Sequence, residues 1–360
     1  MNRKNLAFAS TLVFGVASLS GCSKSVEQVN LDFGRLYDSS ISDESLSGHV
    51  TSLTHSTLEG KISNEDSFVL LICDIDSTCT CFATFRVTLI SYLKNKNLDL
   101  YTIKPTEFDG GAETHDLKIS AAEGYEDLAI FSNGSLKYQN QRNGSDDSWS
   151  NDYSTFADYL KERVSIPSML KISKDQLETL DDSYDHYVII YSRESCPDCS
   201  YLSKNFLRSF NKGDWNTSFI IDCDVEGIRY KDGAYDAEQW KAFKDQHGLS
   251  NVSNTEYGYD VGYVPTLQFV SNGSIEDMAV YFNDSLSANN DGSYKVSMSY
   301  WDGSREHNFF SSLANEVTTN FNDIVITSDQ VSDGRWNKDA ASKYHDPLVK
   351  GFLSFYLSKE

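Results

Sequence analysis

The sequence predicts an α/β protein built from two successive copies of one unit, each a central sheet with helices on its faces. Three observations carry this. Two apolar runs, Phe68-Val69-Leu70-Leu71-Ile72 and Tyr187-Val188-Ile189-Ile190-Tyr191, have the length and β-branched content of strands buried on both faces, and each leads to closely spaced cysteines and a helical pattern. Two later segments, 124–135 and 262–274, parallel each other, and each contains the Asn-Gly of a tight hairpin, Asn133-Gly134 and Asn272-Gly273. Each copy ends in an amphipathic helix, at 153–164 and 348–357, the second opened by Asp346-Pro347 as cap and first-turn proline. Each unit therefore reads strand, helix, strand, helix, two hairpin strands, helix.

The first residues read as an export signal. Arg3 and Lys4 precede a mostly apolar run over 6–16, too short for a spanning helix, and then Leu19-Ser20-Gly21-Cys22. That tetrapeptide resembles the lipobox of bacterial lipoproteins. The resemblance implies loss of residues 1–21, lipidation of Cys22, and a protein held at the extracytoplasmic face of the cell membrane. Two acyl chains, at about 0.8 kcal/mol per buried CH2, would anchor it there without a spanning helix. Residues 22–45, rich in Ser and Asp, read as a flexible tether. No later stretch reaches 18 apolar residues, so the remainder is expected to be exported and soluble. With 53 acidic against 31 basic residues and a net charge of −22, nucleic acid is excluded as a partner. At 360 residues, 39% hydrophobic and 13% aromatic, the chain is long and apolar enough for two domains with cores of their own.

The first unit, 46–165, runs from the Phe68 strand to Cys79-Thr80-Cys81, then to a helical run through Phe85, Leu89-Ile90 and Leu93, the hairpin and the helix at 153–164. Its Gly-, Ser- and Asp-rich stretch 140–151 is a loop, and the short run 165–168 is the expected hinge to the second unit. Cys73, on the buried strand, reads as a small core residue.

The second unit, 166–360, carries the chemistry. Its strand delivers Cys196-Pro197-Asp198-Cys199 to a segment in which Tyr201-Leu202, Phe206-Leu207 and Phe210 recur at helical spacing. Cys196 is thus expected at a helix N-terminus, where free N–H groups and the macrodipole favour the thiolate, which is both nucleophile and metal ligand. Pro197 suits the first turn, and Cys199, one turn on, lies on the same face within reach of a disulfide. By itself a C-x-x-C serves as a redox pair, half a zinc site or a structural crosslink; the second pair of a four-cysteine zinc site is missing. Further on, Gly262-Tyr263-Val264-Pro265-Thr266-Leu267-Gln268-Phe269-Val270-Ser271-Asn272-Gly273 looks like the cis-proline strand and Asn-Gly turn of thioredoxins. With both motifs in that order, the chain resembles two tandem thioredoxin-like folds, each a central mixed sheet flanked by helices. The resemblance implies that Cys196 is the nucleophile and Cys199 the resolving thiol, that Val264 and Pro265 receive substrate backbone, and that no cofactor is needed. Reducing thioredoxins carry a buried Asp where this chain has Ile190, and C-P-x-C with Val before the proline looks more like glutaredoxins and exported disulfide oxidases.

The first copy departs from the pattern where chemistry would happen. C-x-x-C becomes C-x-C, and Asp127 reads as the counterpart of Pro265, so this copy is expected to be a degenerate docking or spacing module, with Cys79 and Cys81 as an auxiliary redox pair in the alternative. Cys73, Cys79 and Cys81 with His115 form a further alternative, a copper or zinc set similar to that of copper-assembly proteins of this fold. Cys223, ending Phe219-Ile220-Ile221-Asp222-Cys223, is expected to be a half-buried inert thiol, with a third redox cysteine as the other reading. Insertions are expected at 227–234, at 251–260 and at 285–345, the last with an extra strand at 294–301. The function expected is a membrane-anchored thiol–disulfide oxidoreductase acting on thiols and disulfides of exported proteins. A non-catalytic thioredoxin-like accessory or binding lipoprotein, of the kind that assists secretion or bacteriocin transport, and a metal carrier stay open beside it.

Overall fold

The structure, a computed structural model, describes residues 26–37, 41, 46, 49–76, 80–108, 115–117, 127–140, 152–210, 216–249, 264–301, 306–308, 325–332, 335–340, 342–343 and 346–358. The expected export signal, Cys22, Cys79, the loop at 141–151 and the insertion at 251–260 lie outside these residues, as do the side chains of Cys81 and of residues 295–301.

Two short strands, β1 (Val29–Asn30) and β2 (Gly34–Arg35), precede the first sheet. That sheet is formed by β3 (Thr51–Leu53), β4 (Phe68–Ile72), β5 (Leu100–Ile103), β6 (Asp127–Ser132) and β7 (Ser135–Asn140), in the order β3-β5-β4-β6-β7. The first three run parallel and the hairpin β6–β7 antiparallel. Every residue of β4 is buried because its alternating side chains feed two cores. Val69 and Leu71 join Phe85 and Leu89 of α2 (Thr80–Lys96) and Phe156 and Leu160 of α3 (Tyr153–Arg163); Phe68 and Leu70 join Leu58 of α1 (His55–Ser63) on the other face. Each such Leu or Phe contributes about 1.5–3 kcal/mol by leaving water. Thr54 and Thr57 form a capping box at α1, and the Asp152 carboxylate accepts the Ser154 and Thr155 N–H groups at α3, caps of about 1 kcal/mol each.

The second unit repeats the scheme. Here β8 (Val164–Ser165) and β9 (Met169–Ile172) lead to α4 (Lys174–Leu177), β10 (His186–Ser192) and α5 (Pro197–Leu202), which passes through a π turn at Ser203–Leu207 into α6 (Arg208–Phe210). There follow β11 (Ser218–Asp222), a small hairpin of β12 (Tyr230–Lys231) and β13 (Ala234–Tyr235), α7 (Ala237–Gln246), β14 (Thr266–Ser271) and β15 (Ser274–Ala288). The order β9-β11-β10-β14-β15, with the first three parallel and the last two antiparallel, matches the first sheet strand for strand. Even the irregularities coincide: both hairpins turn on Asn-Gly at positive φ, and both slip register just before the penultimate residue of their first strand, at Ile130/Phe131 and Phe269/Val270. Both sheets have the strand order and directions of the thioredoxin fold. The second is widened by β16 (Tyr294–Trp301), which carries β17 (Glu306–Asn308) and β18 (Val325–Ile326), and α8 (Asp346–Leu357) closes the chain with Val349, Leu353 and Tyr356 buried. The extra strand expected in the insertion is therefore present.

Three expectations are corrected. The N-terminal stretch read as a tether is, over 26–37, a strap woven between the two sheets: β1 pairs with β8, β2 pairs with β9, and Leu31 is 2% exposed. Its Ser/Asp-rich composition concealed a few apolar residues, Val29, Leu31, Tyr37 and Ile41, that bury in the first core. The expected hinge is likewise held, since β8 is paired, Ile166 packs on that core, and the Ser168 carbonyl accepts the Ser218 N–H (3.1 Å). Finally, Asp127 stands opposite Ile72 as Thr266 stands opposite Tyr191, so Asp127 is the counterpart of Thr266; the counterpart of Pro265 is Glu126, outside the described residues.

Candidate functional site

β10 is the second unit's central strand, and its C-terminal end projects the loop Arg193 to Ser195 beyond the sheet. Cys196 stops the loop. Its own N–H reaches the Arg193 carbonyl (3.2 Å), it adopts the extended conformation of an N-cap, and its sulfur accepts the Cys199 N–H (3.4 Å) as a Ser or Asp oxygen would at that position. Pro197 occupies the first turn of α5, where its missing N–H leaves nothing unpaired. The expected helix forms, with the π turn letting Phe206 and Leu207 both point into the core.

The peptide Val264–Pro265 is cis, and the Cys196 thiol donates to the Val264 carbonyl (3.4 Å). Thus Cys196, Cys199, Val264 and Pro265, distant in sequence, meet at one end of the sheet. Cys196 is 4% exposed and Cys199 2%, and both are free thiols. Burial, reinforced by the Cys196 sulfur beside it, pushes the Cys199 thiol up to about 12; the Arg193 N–H and the Ser192 hydroxyl pull the other way. Cys199 is therefore a thiol at neutral pH. Cys223 is fully buried, not half-buried, in the same cluster, and burial raises it well above its ordinary value.

The first unit offers no equivalent assembly among the described residues. Cys73 is buried against α2 and α3, whereas the His115 ring nitrogen is hydrogen-bonded to the Glu59 carboxylate on α1, across the sheet from it. Among the described residues no three His, Cys, Asp or Glu side chains converge; Cys79 and the side chain of Cys81 lie outside them.

Sequence reasoning missed the residues around the dithiol. Asp222 and Asp224, at the end of β11, hold the loop before Cys196, and Arg229 holds Asp224. The alternation Asp222-Cys223-Asp224 just past a strand, beside the neighbouring strand's reactive loop, was the available signal. A cleft of about 1350 Å³ runs between the units from Cys199 and Arg193 to Arg208, Asp32, Lys171 and Arg35.

No protein-family model and no curated protein matches the chain. Among the solved structures that resemble it are ERdj5 form II (10% identity, TM-score 0.24, 65% of this chain and 26% of that one) and human ERp44 form II (9% identity, TM-score 0.26, 62% and 50%). The alkylhydroperoxide reductase AhpF of Enterococcus faecalis, as a C503A mutant, is another (10% identity, TM-score 0.18, 62% and 89%). The chain spans about a quarter of the ERdj5 chain and half of the ERp44 chain.

Proposed function

We propose that this protein is a thiol–disulfide oxidoreductase whose reacting pair is Cys196 and Cys199, lipidated on Cys22 and working on exported proteins at the extracytoplasmic face of a membrane. One observation carries the chemistry: the sulfur that caps α5 lies 3.4 Å from the carbonyl of a residue in cis linkage to proline, with a second thiol one turn behind it. The anchoring rests on Leu19-Ser20-Gly21-Cys22 alone.

In the forward direction Cys196, once its thiol proton has passed from the Val264 carbonyl contact to water, attacks one sulfur of a substrate disulfide as the thiolate. Cys196 gains a mixed disulfide and the other substrate sulfur leaves as thiolate. That thiolate takes the proton of Cys199, whose sulfur then attacks Cys196, closing the Cys196–Cys199 bond and releasing the second substrate thiolate. The two electrons come from the dithiol, which an external dithiol reductant restores; the same steps in reverse oxidise a substrate. In this reading the backbone of Val264 aligns a substrate strand beside the mixed disulfide, once its carbonyl exchanges the Cys196 thiol for a substrate N–H; the cis peptide and the 3.4 Å contact to Cys196 support it.

Reduction of insulin disulfides tests this. Cys196→Ser should abolish turnover, and Cys199→Ala should accumulate a mixed disulfide on Cys196 visible as added mass. Full activity in Cys196→Ser ends the proposal. The near-complete cover of both sulfurs favours a second reading, a binding protein that keeps the pair without turning over; a Cys196–Cys199 bond that neither glutathione nor a thioredoxin-type dithiol opens would select it.

A further inference from the structure

The loop that presents Cys196 is gripped from outside the motif. Ser195 N–H donates to Asp224 Oδ2 (2.9 Å), and Glu194 N–H donates to Asp222 Oδ1 (3.3 Å), which also accepts the Asp224 N–H (2.8 Å). Asp224 is fixed in turn. Its other oxygen is ion-paired with Arg229, whose guanidinium lies 5.2 Å from the ring centre of Tyr235 and 5.7 Å from that of Trp240. The Arg229 carbonyl accepts the N–H of Asp236 (2.9 Å), the residue that caps α7. A continuous chain of bonds and ring contacts therefore runs from α7 and the β12–β13 hairpin to the residue before the nucleophile. The Asp224 side chain is 8% exposed; burial alone would raise its carboxyl, and the Ser195 hydrogen bonds and Arg229 overcome that and hold it below the usual carboxylate range.

Inside the loop and motif the ties are few: the Cys196 N–H to the Arg193 carbonyl (3.2 Å), the Cys199 N–H to the Cys196 sulfur (3.4 Å), and the Arg193 N–H toward the Cys199 sulfur; none of them holds Glu194 or Ser195. Yet the sulfur must stay between the Val264 carbonyl and the Cys199 amide, 3.4 Å from each. Misplacing a reacting atom by about 1 Å can cost on the order of 100-fold in rate. A carboxylate holds an amide about twice as strongly as a neutral acceptor does, and Arg229 denies it other orientations.

Building on the dithiol reading above, we propose that Asp224, locked by Arg229, is a positioning residue of this site: through the Ser195 amide it sets where the Cys196 sulfur stands. It touches no reacting atom. The test uses the full chain as wild type, Asp224→Ala, Asp224→Asn and Arg229→Gln. It measures kcat and KM on insulin disulfides, the equilibrium of the dithiol with reduced and oxidised glutathione by mass spectrometry after alkylation, and the melting temperature. Asp224→Ala should lower kcat at least tenfold at unchanged KM and move the glutathione equilibrium constant at least threefold. Asp224→Asn, which keeps an acceptor oxygen for Ser195, should recover most of both, and Arg229→Gln should fall between. An Asp224→Ala variant that melts lower but keeps the wild-type kcat and glutathione equilibrium overturns the proposal and leaves the dithiol reading intact. A wild type that exchanges with no disulfide overturns both.

Discussion

Asp32 tests how the strap joins the two units. Its carboxylate is 12% exposed, accepts the Ser67 N–H (2.9 Å) and lies 3.2 Å from Arg208 Nε, with Asp66 and Lys61 close by. Burial raises its carboxyl more than Arg208 and the Ser67 amide lower it, and the outcome is a rise from 3.8 to about 6. The sign follows from linkage. A carboxyl that titrates higher in the folded chain than in the unfolded one is better tolerated protonated, so its stabilising contribution is full below about pH 4 and lost as pH climbs through 6. Roughly two pH units, at 1.36 kcal/mol each, set the cost of the ionised form near 3 kcal/mol at neutral pH. Asp32→Asn keeps an acceptor for Ser67 and carries no charge. It should change stability little at pH 4 and add about 2–3 kcal/mol at pH 7.5 relative to wild type. Urea unfolding of both chains at both pH values measures this, and subtracting one chain from the other cancels every group that titrates alike in the two. An advantage that stays constant or shrinks with rising pH refutes the reasoning, for then the Arg208 pair outweighs the burial of Asp32.

Asp99, 3% exposed, accepts from Arg35 (3.1 Å), Lys171 (2.8 Å) and Tyr101 (2.8 Å), which ties strap, first unit and second unit at one carboxylate. Asp99→Ala should cost about 3–5 kcal/mol in urea unfolding, and Asp99→Ala with Lys171→Met should cost less, because the stranded ammonium is gone. Lys171 and Arg35, working against burial, hold the Asp99 carboxyl well below its ordinary range, so its stabilisation persists above about pH 4 and fades as pH falls further, opposite in sign to Asp32. The paired hairpin glycines should differ when changed. At Gly134, φ +73°, a Cβ would lie 2.3 Å from the Ile62 carbonyl oxygen, whereas at Gly273, also φ +73°, it meets only the Asp181 carboxylate at 3.4 Å. Both pay about 1 kcal/mol or more for the left-handed backbone, and Gly134→Ala should melt clearly below Gly273→Ala. Cys223, fully buried and with its thiol pushed up, should escape iodoacetamide in the native chain at pH 7 and react on unfolding; labelling at the native Cys196 rate would contradict its placement.

What the sequence disclosed and what it hid separate by range. The strands at 68–72 and 187–191, the hairpins, the helix start at Cys196 and the meeting of Cys196 with Val264-Pro265 were legible, because each rests on local patterning, turn residues or a proline at a characteristic place. The strap was not. A segment with apolar residues at Val29, Leu31, Tyr37 and Ile41 among Ser and Asp has no period of either helix or strand, and its two-residue strands exist only because β8 and β9 present unpaired edges to it. Asp127 was misaligned for a related reason: counting residues forward from Gly124 and Gly262 assumes segments of equal length, whereas ladder register measures the offset. The residues gripping the Cys196 loop were hidden because Asp222 and Asp224 reach it through β11, nearly thirty positions away.

The strap changes what the first unit does for the site. Arg208 stands at the far end of the helix that begins at Cys196, and its guanidinium donates to the carbonyls of Asn64 (3.1 Å) and Glu65 (3.0 Å) while pairing with Asp66 and Asp32. The first three belong to the turn after α1, the last to the strap. A π turn lies between the cysteines and Arg208, a place where a helix is locally less regular. The helix carrying the dithiol is thus held at its N-terminal end by Asp222 and Asp224 and at its C-terminal end by the first unit, with the irregular turn in between. A copy that lacks its own C-x-x-C still braces the one that has it, and that requires only its turn carbonyls and two carboxylates, none of which a search for redox motifs would single out.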